Sequence, residues 1–231
     1  MLKVKNLCKN YGPLEAVNNL NFQVQKGEIF GLIGPNGSGK TTSIECILDI
    51  KTKDQGSVSI NNQPVSQVLS KIGVQFQSSF FPEKIKVFEI CKMMSVLYGD
   101  TFDYRVLLEE FGLADKKDKY VSMLSGGQKQ KLSVLLALIN KPKIVFLDEL
   151  TTGLDPEARR DVWNILKALQ KKGLTIFLTS HYMEEVFFLC DRLMIIKKGK
   201  YVVSGTPKEV IKSAGASTLE EAYLFYMEDI S

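Results

Sequence analysis

Residues 27–50 read "GEIFGLIGPNGSGKTTSIECILDI", and the fold class follows from them. "GEIFGLIG" (27–34) is a dense apolar run without alternation, the pattern of a strand covered on both faces. "GPNGSGKTT" (34–42) follows, and "TTSIECILDI" resumes with apolar residues at helical spacing. Glycines at 34, 37 and 39 let successive backbone N–H groups curl around an anion, and the helix start beyond them adds unpaired N–H groups. Gly34, Gly39, Lys40 and Thr41 stand at the P-loop spacing. Lys40 supplies positive charge to outer phosphates, and the Thr41 hydroxyl can ligate magnesium. The stretch predicts nucleotide binding.

Outward from it, "LKVKNL" and "VNNLNFQV" alternate polar and apolar residues as half-buried strands do. "GSVSINNQPV" reads as a hairpin turning at Asn61 and Asn62. From 87 to 114 apolar residues recur every three or four positions, which predicts helices. "KIVFLDE" (143–149) and "LTIFLTSH" (174–181) are short buried-strand patterns, each followed by a helical one. "DRLMIIKKGKYVVSG" reads as a hairpin turning at Lys198 and Gly199, and "SAGAS" loosens the chain before a last helix, "TLEEAYLFYMEDI". Strands and helices alternating around a phosphate loop predict an α/β fold with a mostly parallel sheet. The β-rich opening and the central helical stretch read as additions to it.

Composition narrows the partners. The 231 residues are 45% hydrophobic, enough for a proper core, and the formal net charge is +4. Basic and acidic side chains are interleaved without a basic arm, so nucleic acid is not expected as a partner. Cys8, Cys46, Cys91 and Cys190 lie far apart without metal-ligand spacing, and read as buried thiols in a reducing compartment. The N-terminus lacks the apolar stretch of a secretory signal, and no apolar run reaches the roughly twenty residues that cross a bilayer. The expected location is intracellular, with any membrane spanning left to other subunits.

Three further stretches carry chemistry. "KIVFLDE" places Asp148 and Glu149 at the C-terminal end of a central strand, where α/β sheets build their sites. Asp148 would hold magnesium through water, and Glu149 would accept a proton from an attacking water. His181, the single histidine, ends another apolar strand and falls on the same edge. "LSGGQ" (124–128) runs into the apolar helical pattern "KLSVLLALI", which makes a second anion site at a helix start.

The P-loop, "LSGGQ", "FLDE", "TTGLDP" and a strand ending in "TSH" stand in the order and spacing of ABC-type ATPases, and the resemblance covers nearly the whole chain. It implies a P-loop core with a mostly parallel sheet, an N-terminal antiparallel β subdomain and an inserted helical subdomain. By this resemblance residues 1–231 form one ATPase domain. About 1–85 and 140–215 make the core with its β subdomain, 86–139 the helical part with the signature, and 216–231 a C-terminal helix. The cofactors implied are ATP and Mg2+. Gly34, Pro35, Asn36, Gly37, Ser38, Gly39, Lys40, Thr41 and Thr42 would wrap the phosphates, with Tyr11 of "KNYG" stacked on adenine and Val17 touching base or ribose. Gln77 of "GVQFQSS" matches the glutamine that reaches magnesium and the attacking water. Gln75 competes, and the following "SSFFPEKIKVFE" favours Gln77. Metal contacts would be Thr41, Gln77 and Asp148; Glu149, His181 and Gln77 would serve catalysis.

The resemblance further implies that two copies lie head to tail. Each would present Ser125, Gly126, Gly127, Gln128 and the helix start to the γ-phosphate held by the other, with Asp155 crossing to the opposite site. Three positions depart from the family pattern: Leu150 stands where proline is usual, Asp49 where glycine is common, and Lys131 where arginine is frequent. The function implied is the ATP-driven subunit of a membrane transporter, working at the inner face of the cell membrane beside separate permease subunits. Those would dock near Gln77 and roughly residues 80–113, with Phe80 and Phe81 exposed. The "STLEEAYLFYM" tail leans toward ABC-2-type exporters over importers. A homodimer and a heterodimer both fit. Competing readings are a soluble ATPase of cluster assembly and a degenerate nucleotide-binding regulator.

Overall fold

The computed structural model describes residues 1–76 and 81–228. In chain order they form β1 (Leu2–Tyr11), β2 (Leu14–Val24), β3 (Ile29–Ile33), α1 (Lys40–Ile47), β4 (Gln55–Ile60), β5 (Gln63–Pro64) and β6 (Ile72–Gln75). There follow α2 (Val87–Tyr98), α3 (Tyr104–Glu110), α4 (Gly126–Leu138), β7 (Ile144–Asp148), α5 (Pro156–Lys171) and β8 (Thr175–Ser180). The chain closes with α6 (Met183–Leu189), β9 (Arg192–Lys197), β10 (Lys200–Gly205), α7 (Pro207–Ser213) and α8 (Leu219–Met227). Two compact units result, Met1–Leu69 with Thr175–Ser231, and Ser70–Leu174. The division groups β6 and β7 with the central helices, whereas the expected domain boundaries group them with the phosphate loop.

In the first unit β2, β1, β4 and β5 make an antiparallel sheet. Asn61 and Asn62 turn β4 into β5 with φ of 52° and 62°, the left-handed pair that a two-residue hairpin demands. β3 lies between β8 and β9 and runs parallel to both, while β10 pairs antiparallel with β9. Every residue of β3 and β8 is buried, as their unbroken apolar runs require. Phe22 of β2 stacks on Phe30 of β3 and Phe177 of β8, with ring centres 5.4 and 5.9 Å away, so aromatic packing joins the two sheets. α7 is an element the sequence reading leaves out. Its start carries a readable signal, Thr206, Pro207 and Glu209, and Thr206 and Glu209 hydrogen-bond each other's backbone N–H.

In the second unit β6 and β7 pair in parallel, from Ile72 opposite Ile144 to Gln75 opposite Leu147. α4 lies directly on β6: a methyl group on Gly73 would meet the Ala137 carbonyl oxygen at 1.9 Å. The Asn140 side chain donates to the Ser70 and Ile72 carbonyls at 3.0 and 2.9 Å, fastening the end of α4 to the start of the strand. α5 turns Val162, Trp163 and Leu166 inward and leaves its other face polar. No helix among the described residues is long and apolar enough to cross a membrane.

Candidate nucleotide site

In the first unit the loop between β3 and α1 is gripped from two sides. Gly39 sits at φ 101°, and a methyl group on it would lie 2.2 Å from the Ala16 carbonyl oxygen of β2. The Gly199 N–H of the β9–β10 turn donates to the Ser38 carbonyl at 3.0 Å, and the Gly199 carbonyl accepts from Asn18 N–H at 2.8 Å. Pro35, Asn36, Gly37 and Thr41 are exposed, Thr42 is half-buried, and Gly34, Ser38 and Lys40 are buried. The Lys40 ammonium donates to the Gly34 and Pro35 carbonyls at 2.8 and 3.1 Å, so its charge stays inside the loop's curl. Ser38 Oγ is buried and has no hydrogen-bond partner. The first turn of α1 carries no acid. An unspent hydroxyl, a buried ammonium and the positive end of a helix together fit a polyphosphate.

Tyr11, the last residue of β1, is half-exposed. Its ring centre lies 5.5 Å from the Lys9 ammonium and 5.6 Å from that of Lys51. The carboxylate of Glu45 holds the Lys51 amine above its ordinary pKa, and the Tyr11 phenol beside it adds to the effect. Val17 is fully buried and offers no side-chain surface to a ligand; the neighbouring Ala16 carbonyl is what approaches the loop here. His181 follows the end of β8, exposed, with its ring 4.2 Å from that of Tyr182. Asp49 takes φ 56° and pairs with Lys53 at 2.6 Å. A left-handed turn ending α1 explains a family preference for glycine there, and Asp tolerates it better than most residues.

In the second unit Asp148 is buried at the end of β7 and Glu149 half-buried just beyond it. Glu149 holds φ 49°, in the left-handed region that costs an L-residue about 1–2 kcal/mol. Buried Gln75 ends the paired strand β6, and its Oε1 has no hydrogen-bond partner. Gln77 and Phe80 lie outside the described residues. Ser125 caps α4: its hydroxyl accepts from Gln128 N–H at 3.3 Å, and Gln128 Oε1 accepts from Ser125 N–H at 3.1 Å. The Ser125 O–H proton can still be given to an anion. Asp155 caps α5 in turn, accepting from Ala158 N–H at 2.9 Å. Gly126 and Gly127 form the first turn of α4, which contains no acid. Lys131 reaches Asp161 on α5 at 2.7 Å, a single-point ion pair that an ammonium makes as well as a guanidinium.

Among the described residues no three His, Cys, Asp or Glu side chains come together to cage a metal. Magnesium needs no such cage, since it takes one or two protein oxygens and completes its shell with water and phosphate. A threonine hydroxyl and a strand-end carboxylate are suitable oxygens. The loop contacts of Ala16 and Gly199 escape sequence reading, because they are backbone atoms with no residue-type signal. Lys51 and Glu45 escape it as well, being ordinary surface residue types.

Residues 17–152 match the ABC transporter family. The Nod factor export ATP-binding protein I of Burkholderia orbicola (strain AU 1054) is 38% identical over 228 residues, covering 95% of this chain and 75% of that protein. The linearmycin resistance ATP-binding protein LnrL of Bacillus subtilis (strain 168) is 33% identical over 228 residues, covering 95% and 73%. A solved ATP-binding subunit of an ABC transporter superposes with a TM-score of 0.88 at 26% identity, covering 99% of this chain and 100% of that one. The dimeric bacterial ABC transporter cassette MJ0796 gives 0.80 at 25% identity, covering 89% and 98%.

Proposed function

The chain belongs to the ABC transporter family and is an ABC-type ATPase; from that premise we propose that it powers export through separate membrane permease subunits, as a dimer closed by ATP. The observation that carries the nucleotide reading is the phosphate loop. Ser38 offers a buried hydroxyl without a partner, beside a buried Lys40 and a helix start free of acids. Export is supported by the relatives, which are named for Nod factor export and linearmycin resistance. The same relatives support transport over cluster assembly. Residues 1–231 then act as one ATPase domain, peripheral to the cytoplasmic face of the membrane.

Each side chain has a role in this reading. Tyr11 stacks on the base, and the loop N–H groups with Ser38 and Lys40 take the phosphates. Glu149 accepts the proton of the attacking water, while His181 and Gln77 orient that water and the terminal phosphate. Thr41, Gln77 and Asp148 would hold magnesium, which would supply positive charge against the phosphate oxygens. The start of α4, with Ser125, Gly126, Gly127 and Gln128, neutralises the outer phosphate of a second copy's nucleotide, and Asp155 reaches across to it. Dimer closure thus depends on the triphosphate, and its hydrolysis loosens the contact.

The test is Glu149→Gln with Mg-ATP. Turnover should fall by about a hundredfold or more, and size-exclusion chromatography should show a stable dimer that ADP does not support. A monomeric variant that still hydrolyses ATP rejects Glu149 as the base. Purification in detergent should bring an integral membrane protein with the chain; a soluble partner in its place rejects the transport reading.

A further inference from the structure

We propose that Lys51, braced by Glu45, is a positioning residue that fixes the Tyr11 ring for base stacking. The inference rests on the reading of Tyr11 as the base platform and adds the device that orders it. A half-exposed tyrosine at a strand end would otherwise spread over several rotamers, and ordering it would subtract from nucleotide affinity.

The brace begins in the turn after α1. Left-handed Asp49 reverses the chain, so that Ile50 N–H and Lys51 N–H both donate to the Glu45 carbonyl, at 2.9 and 3.1 Å. The Glu45 carboxylate then meets the Lys51 ammonium at 2.8 Å. One glutamate therefore holds Lys51 at both backbone and head group. The ammonium lies beside the Tyr11 phenol and stands 5.6 Å from the ring centre. A second support comes from β1 itself. Lys9 lies 5.5 Å from the same ring centre and is held by Asp54 at 3.2 Å, while Asp54 also accepts from Asn10 N–H at 2.6 Å.

The placement of Glu45 gives the brace its meaning. Glu45 is on α1, the helix that starts at Lys40 in the phosphate loop. One rigid helix therefore carries the phosphate grip at its first residue and the tyrosine brace one turn further on. The distance between the phosphate end and the base end of the ligand is set by helix geometry rather than by a loop. Asp49 contributes the turn, so its presence in place of glycine still serves the arrangement, with Lys53 bonded to its carboxylate.

The experiment is a double-mutant cycle on the full chain with Lys51→Ala and Tyr11→Phe, read by binding of a fluorescent ATP analogue and by steady-state ATPase. Lys51→Ala should raise both Kd and KM about three- to tenfold with kcat retained, because only ground-state placement of the base is lost. Tyr11→Phe removes the phenol beside the Lys51 ammonium, so the double variant should be no weaker than the weaker single. Lys51→Arg should restore most of the affinity. Inorganic tripolyphosphate, which has no base, should inhibit the Lys51→Ala variant as it inhibits the parent. Effects that multiply in the double variant, an unchanged Kd in Lys51→Ala, or an equal loss of tripolyphosphate binding each overturn the proposal. Tyr11→Ala separates it from the reading beneath. Lost affinity there with an additive cycle sinks the brace alone, and unchanged affinity sinks the base platform with it.

Discussion

A methyl group on Gly127 would stand 2.8 Å from the Cβ of Ala158, closer than two carbon atoms approach without displacement. The second glycine of the signature stretch is therefore a packing glycine as well as a candidate phosphate contact: it lets α5 lie against the first turn of α4. Gly126 is different, since a methyl there meets only Leu154 Cδ2 at 3.9 Å. Gly127→Ala should lower stability by roughly 1–3 kcal/mol, the usual cost of forcing a methyl into a filled space. Gly126→Ala should leave the thermal midpoint unchanged or raised, because alanine favours helix, and any fall in ATPase activity there comes from the phosphate face. Calorimetry on the two variants separates the roles, and equal thermal midpoints would refute the packing assignment.

Asp155 also carries two roles that can be parted. Its carboxylate caps α5 in this chain, and the family reading sends it to a second copy's site. Ala at 155 loses the cap and should cost about 0.5–2 kcal/mol. Ser is as good a cap but brings no charge and a shorter reach. Asp155→Ser should therefore keep the melting temperature within about a degree while ATPase turnover falls, and Asp155→Ala should lose both. Turnover that tracks only the melting temperature would leave Asp155 a cap and nothing more.

The strands β3, β7 and β8 were legible in sequence because burial on both faces forces continuous apolar runs, and such runs survive without any tertiary information. The turns at Asn61–Asn62 and Lys198–Gly199 were legible because left-handed backbone selects few residue types. The phosphate loop, the signature and the strand-end acids were legible because their chemistry dictates both residue type and spacing. The grip on that loop was not. Gly199 reaches Ser38 through backbone atoms from a distant segment, and nothing in the letter G at 199 records the partner. Ser125 and Asp155 were legible as functional candidates, but their capping bonds are read equally well from local rules, and only coordinates show that the same side chains do it. Glu149 illustrates the remaining limit, since a left-handed glutamate has no propensity signature.

Cysteine reactivity gives a test of burial with a defined pH sign. Burial pushes the Cys91 thiol up to about 12, and Cys46 is raised as well, chiefly by burial. At pH 8 roughly one Cys91 in 10⁴ is the reactive thiolate. In native protein, reagent labelling should therefore reach half-buried Cys8 first and leave Cys46 and Cys91 untouched between pH 7 and 9. The folded state holds the Cys91 proton more tightly than the unfolded chain does. Its contribution to stability is complete below the unfolded thiol's pKa and fades as pH climbs from there toward about 12. Mass spectrometry of alkylated peptides at pH 8 checks the order; early labelling of Cys91 would contradict its burial.

Leu150 and the backbone of Glu149 belong together. Glu149 at φ 49° is held by the turn beyond it, where Thr152 N–H donates to the Glu149 carbonyl at 3.3 Å and Leu154 N–H to the Thr151 carbonyl at 3.2 Å. Leu150 is buried within that turn, 3% exposed. A proline at 150, as is usual in the family, restricts the preceding residue to extended backbone. Leucine at 150 thus permits the left-handed setting of Glu149. Leu150→Pro should re-aim the Glu149 carboxylate and reduce kcat at least tenfold, while the affinity for the ATP analogue is kept. Leu150→Ala supplies the control, because it removes the buried side chain, at about 2–5 kcal/mol, without touching the φ of residue 149. Below its melting range the alanine variant should keep near-parental turnover per folded molecule, measured by phosphate release at 25 °C. If proline and alanine depress kcat alike, packing rather than backbone setting governs the position of Glu149.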